Sequence, residues 1–163
     1  MKVAIIYTLI LSSLVGVISL MINSGGHPHN HLIGAWKETS WQYEKLDDLE
    51  GEDEMTMEID HQMKSEISKS LVFHEAEVWH FAPDGEIGLF DQYGKSKRLD
   101  WRLKGRGNIL KLLADGERTE YYNIKSLSAD KMEIHFTTDI GARGVVKMVF
   151  EKVPSTISYA KKI

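Results

Sequence analysis

Cysteine is absent from all 163 residues. That excludes disulfides, thiolate nucleophiles, zinc-thiolate sites and iron-sulfur clusters together. It also excludes the acylated cysteine of a bacterial lipoprotein, so any membrane attachment has to come from the peptide itself. An excess of positive charge is lacking: 20 Lys and Arg stand against 24 Asp and Glu for a formal net charge of -4, and no broad positive field exists to collect phosphates, so nucleic acid is not an expected partner. Catalytic signatures are missing too. Ser, His and Asp are scattered, with no G-x-S-x-G elbow and no glycine-rich phosphate loop before a helix. We expect no enzyme activity and no cofactor.

What is present begins with a long apolar run. Residues 3–22 read VAIIYTLILSSLVGVISLMI without a charge, and such a run is long enough as a helix to cross a hydrocarbon core. The rival reading is a cleaved signal peptide, but Leu20-Met21-Ile22-Asn23-Ser24-Gly25 is a poor cleavage site. Lys2 precedes the run and no Lys or Arg follows until Lys37. That asymmetry places the N-terminus in the cytoplasm and the remainder outside, on the periplasmic face of an inner membrane. The expected divisions are residues 1–23 as anchor or uncleaved signal, 24–31 as a His-rich stalk, 32–153 as one domain and 154–163 as a tail.

From Trp36 onward, period-2 alternation dominates. Leu99, Trp101 and Leu103 alternate with Arg98, Asp100 and Arg102; Met132, Ile134 and Phe136 alternate with Lys131, Glu133 and His135; Val146, Met148 and Phe150 flank Lys147. Segments 36–43, 75–81, 86–92, 108–113 and 118–124 complete a series of about eight strands. Pro83-Asp84-Gly85, Gly94, Gly105-Arg106-Gly107, Asp115-Gly116, Ala129-Asp130 and Asp139-Ile140-Gly141 supply turns for tight hairpins. The expected fold is all-β: an antiparallel up-and-down barrel, because closure removes the two open edges of a meander.

One insertion follows the first strand. Residues 46–54 (LDDLEGEDE) form an acidic loop, whose spacing does not match a calcium-binding EF-hand. Ile59, Met63, Ile67 and Leu71 then share one helical stripe, predicting a short helix over 58–70 that covers an open barrel end.

Gly34-Ala35-Trp36 matches the G-x-W of lipocalins. The longer strings LIGAWKETSWQY, WHFAPDGEIGLF, DWRLKG, YYNIKSLSADKMEIHF and VVKMVFEKV resemble the small lipocalin-like domains of Bacteroidetes envelope proteins, over roughly residues 32–153. The resemblance implies that Trp36 plugs the closed end of the barrel beneath a basic side chain from late in the chain, with Arg143 or Lys147 as candidates. The retained anchor, the absence of Cys and the helical insertion depart from secreted lipocalins.

Inward faces offer Trp79 or Val78, Leu89, Trp101, Leu112, Tyr122, Phe136 and Phe150. These residues either line a pocket for a small hydrophobic molecule or lipid, or fill an ordinary core. His27, His29 and His31 alternate through the stalk, and with Met55, Met57, His61 and Met63 they raise Cu or Zn handling as a lesser possibility. Lys95, Lys97, Arg98, Arg102, Lys104 and Arg106 form a local basic face, which is ordinarily the wet side of a strand. Two functions follow: a membrane-tethered periplasmic binding module for a hydrophobic ligand, or a non-catalytic accessory subunit of an envelope membrane complex with a filled barrel as docking domain. Ser12, Ser13, Gly16 and Ser19 place small residues along the apolar run, as a span packing on other helices would require.

Overall fold

The structure, a computed structural model, describes residues 27–45, 56–74, 76–114, 118–138 and 144–154. The apolar run 3–22, the acidic loop and Arg143 lie outside these residues. Among the described residues, no helix is long and apolar enough to cross a membrane.

Nine strands among the described residues form one antiparallel sheet: β1 Gly34–Lys45, β2 Thr56–Glu58, β3 Val78–Phe81, β4 Glu86–Phe90, β5 Ser96–Lys104, β6 Ile109–Leu113, β7 Thr119–Leu127, β8 Lys131–Thr138 and β9 Gly144–Lys152. β3 to β9 follow one another in space as in sequence, and β9 pairs back onto β1 from Trp36↔Lys152 to Lys45↔Gly144. That pairing closes an eight-stranded barrel, as the turn spacing predicts. β2 is additional. It extends the edge of β1 beyond β3, with Gln42↔Glu58 and Glu44↔Thr56 in register. The sequence does not reveal it because all three of its residues are exposed.

The sheet forms where alternation is strict. In β5, Leu99 and Trp101 are buried while Arg98, Asp100 and Arg102 are exposed; in β9, Val146, Met148 and Phe150 are buried. At the β3–β4 turn Gly85 adopts φ +94°, a conformation that L side chains rarely take, and Asp84 Oδ1 accepts the Glu86 N–H at 3.1 Å. In β1 the register shifts between Glu38 and Ser40. This bulge passes the inward parity from Trp36 to Trp41, both buried.

Two helices occupy opposite ends. α1, Pro28–Leu32, packs under the barrel, and a Cβ at Gly107 would meet the Pro28 ring at 2.7 Å. The expected stalk over 24–31 is thus corrected in its second half: Pro28 at the first turn and buried Leu32 make a helical floor. α2, His61–Ser68, lies at the other end, where Asp60 caps it by accepting the Met63 N–H at 2.8 Å. It is shorter than the expected 58–70, but Ile59 and Ile67 of the predicted stripe are buried as expected. Val153 N donates to Ala35 O at 2.8 Å, so the last described residues leave beside the first, at the α1 end.

Candidate ligand-binding lumen

Inward side chains of the eight barrel strands make one continuous core. Trp79, Leu89, Trp101, Leu112, Tyr122, Phe136 and Phe150 all lie buried in it. Of the pair left open, Trp79 belongs to this core and Val78, though buried, does not. Trp79 stands next to Phe150 at 5.0 Å between ring centroids and to Tyr122 at 6.3 Å; Tyr122 meets Phe136 at 5.7 Å. Edge-to-face and tilted contacts at such distances are favourable ring pairings.

At the centre is a residue the strand pattern does not predict. Phe73 comes from the irregular segment between α2 and β3, yet its ring lies 5.0 Å from Trp79, 5.5 Å from Tyr122, 6.0 Å from Trp41 and 6.1 Å from Phe136. The segment crosses the mouth and is clamped at its neighbour Val72. Both carboxylate oxygens of Glu120 accept the Val72 N–H, at 3.2 and 3.0 Å, and Lys97 Nζ donates to Val72 O at 3.4 Å. Glu120 also accepts from the Tyr122 hydroxyl and pairs with Arg118 at 2.7 Å. Burial, aided by that carboxylate, pushes the Tyr122 phenol well above its ordinary value, so it stays a protonated donor. Within the predicted basic face, Lys97 therefore has a structural role. The only sequence hint of the plug is the apolar triplet Leu71-Val72-Phe73 between helix and strand.

Glu38 stands on the other side of the mouth. It lies directly opposite Phe150 in the β1–β9 ladder and so shares its inward face. Its side chain is only 10% exposed, and it pairs with Lys64 of α2. Burial raises its pKa above the usual carboxylate value, and the Lys64 pairing offsets this only in part. Lys64 also lies over the Trp41 ring, 5.4 Å from its centroid. Two clefts flank α2 at the rim, of about 540 and 450 Å³, sharing His61 and Lys64. Among the described residues, three buried polar atoms have no hydrogen-bond partner: Glu38 Oε2, Trp41 Nε1 and Trp79 Nε1.

The α1 end is sealed. Trp36 is fully buried and donates Nε1–H to Leu32 O at 2.7 Å; Trp101 donates to Ala82 O at 3.2 Å and meets the His29 ring at 5.0 Å. The cation over Trp36 is Lys152, 4.9 Å from the ring centroid, with its Nζ donating to His31 O at 2.8 Å. Burial lowers its pKa. The assignment of that role to Lys147 is corrected: Lys147 sits near the mouth end of β9 and pairs with Glu44 at 2.6 Å. Gly34 enters β1 at φ +120°, with a Cβ there meeting the Lys152 side chain at 3.0 Å.

His27, His29 and His31 do not converge. His29 and His31 stand on α1, where residues two apart point to different faces, and His29 is engaged with Trp101. Among the described residues, no three His, Asp or Glu side chains form a group that could hold a metal ion.

The chain matches no known protein family and no curated protein. It is similar in structure to a lipocalin-like protein from Bacteroides uniformis, with 13% identity and a TM-score of 0.42, covering 76% of this chain and 99% of that one. It is also similar to bovine odorant binding protein in complex with a selenium-containing odorant, with 12% identity, a TM-score of 0.40 and coverage of 79% and 74%. The same bovine protein in complex with undecanal gives 12% identity, a TM-score of 0.38 and coverage of 74% and 70%. The strand order and closure of this chain carry the fold assignment by themselves. An up-and-down barrel of eight antiparallel strands, sealed at one end by Trp36 under Lys152, makes this a domain of lipocalin-like fold.

Proposed function

We propose that the barrel binds a small hydrophobic molecule in its lumen, with the segment around Phe73 as an exchangeable plug. One observation carries this reading: the side chain at the centre of the aromatic lining comes from an irregular segment, while the rings around it stand on strands. A guest that takes the place of Phe73 meets Trp79, Tyr122 and Phe136 without any strand moving. No catalytic role is assigned to any residue. The proposal includes a tether: residues 3–22 hold the domain at the outer face of a bacterial inner membrane, supported by the length of the run and the charge asymmetry around it.

The test is titration of the full chain with a neutral fluorescent probe such as phenylnaphthylamine. A plugged lumen binds weakly, because apparent affinity falls with the fraction of open molecules. Phe73→Ala removes the competitor, and binding tightens by about tenfold or more. If the variant folds but takes up no probe, the lumen is not a ligand site.

Close ring packing throughout the lumen favours a second reading, a filled docking domain of a membrane complex. A mild-detergent pulldown that returns stoichiometric partners, together with no probe uptake by Phe73→Ala, selects it.

A further inference from the structure

Trp79 is fully buried, and its indole Nε1–H has no acceptor among the described residues. Buried donors in native proteins are nearly always paired, so an orphan in the middle of a core calls for an explanation. One simple explanation fits poorly. A trapped water needs two or more polar partners, but of the rings in contact with Trp79, those of Phe73, Phe81, Tyr122 and Phe150, only Tyr122 carries a polar atom, whose O–H is donated to Glu120 and which could offer a water one acceptor at most. The indoles of Trp36 and Trp101 both find backbone carbonyls, whereas those of Trp41 and Trp79, also on strands, do not, so the orphan at Trp79 is not a general feature of the indoles in this wall.

The position of the orphan supplies the clue. Trp79 is the nearest ring neighbour of Phe73, at 5.0 Å, so whatever replaces the plug lands beside it. Two carboxylates at the mouth are already paired, Glu38 with Lys64 and Glu120 with Arg118. The rings around Trp79 itself, those of Phe73, Phe81, Tyr122 and Phe150, offer a charged group no counter-ion.

We infer that Trp79 selects among hydrophobic guests for neutral molecules bearing one hydrogen-bond acceptor, such as a ketone, ester or ether oxygen, which receives the Nε1–H when Phe73 withdraws. This rests on the ligand-binding reading above. Such selection is sharp because a site built to hydrogen-bond leaves its own group unpaired when the acceptor is missing.

The experiment uses the full chain in lipid nanodiscs with Phe73→Ala to open the lumen, and two probes of matched shape: acetylnaphthalene, which carries a carbonyl, and ethylnaphthalene, which does not. Adding Trp79→Phe removes the N–H and keeps an aromatic ring. The ratio of the two affinities falls by about five- to tenfold on Trp79→Phe, because the ketone alone loses a hydrogen bond. A second measurement does not depend on that variant folding. The Trp79 indole N–H resonance moves downfield with acetylnaphthalene and not with ethylnaphthalene. If both probes bind but the ratio and the resonance are indifferent to the carbonyl, the selectivity claim is wrong while ligand binding stands, and the N–H is satisfied by a ring face. If neither probe binds, ligand binding fails and takes this inference with it.

Discussion

The two ends of the barrel hold their tryptophans in different ways. At the floor, Trp36 and Trp101 each donate to a backbone carbonyl, and Lys152 lies over Trp36 while bonding His31 O. Further in, Trp79 is buried with no acceptor for its indole N–H among the described residues, and at the mouth Trp41 is buried beside the desolvated Glu38 with its own N–H outside hydrogen-bond geometry. The floor is closed by strand and helix; the mouth is closed by an irregular segment held by turn hydrogen bonds such as His74 N–H to Leu71 O and Ala76 N–H to Phe73 O, and clamped by Glu120 and Lys97 at Val72. Full satisfaction marks structure meant to persist. Unsatisfied groups beside irregular backbone mark the place where the proposed exchange would occur.

Substitutions can break or sharpen that contrast. The largest effect is expected from Trp36→Ala, at about 3–5 kcal/mol of unfolding free energy in denaturant titrations. Phe73→Ala removes a comparably buried ring but costs less, about 2 kcal/mol, because its segment can resettle. Equal costs would erase the difference between floor and mouth. Glu120→Ala comes next, at about 1–3 kcal/mol, since it strips the clamp from Val72 and the partner from Tyr122. Hydrogen exchange should then quicken at Val72 and Phe73 and stay slow at Trp36; uniform acceleration would mean that the mouth does not open separately.

Glu38 gives a smaller effect with a defined sign. Its folded pKa is raised, so above the ordinary value of 4.5 the unfolded chain loses its proton while the native state still holds one. Wild-type stability therefore falls, relative to Glu38→Gln, as pH climbs from 4.5 through the raised value, and the two proteins converge below 4.5. Thermal melts at several pH values read this; a gap that widens on acidification contradicts the burial of Glu38. The smallest change is expected at the floor cation: Lys152→Met loses about 0.5–1 kcal/mol of cation–π attraction. A loss of several kcal/mol in calorimetry would show that Lys152, rather than packing of Trp36, seals that end.

Most of the barrel was legible because half-buried strands write their burial into every second residue. The inward-facing core positions were legible for the same reason, from Leu89 through Phe150. Lys152 was legible in principle, since it keeps the parity of Val146, Met148 and Phe150, whereas Lys147 does not. Phe73 obeys neither the helical nor the strand period, so its place in the lumen depends on how a loop folds back over the mouth. The inward turn of Glu38 depends on a bulge in β1, an extra residue that alternation cannot register. The histidines misled because HPHNH reads as a flexible tract until Pro28 is seen to start a helical turn.

Closure of β1 on β9 has a geometric corollary. Ala35 and Val153 share a hydrogen bond at the floor, so both chain ends of the barrel depart from one pole, opposite the opening. The barrel is therefore entered and left by the chain at its sealed pole. The same adjacency makes the domain a natural candidate for circular permutation, with a short linker joining the old ends and new ones cut at an exposed hairpin.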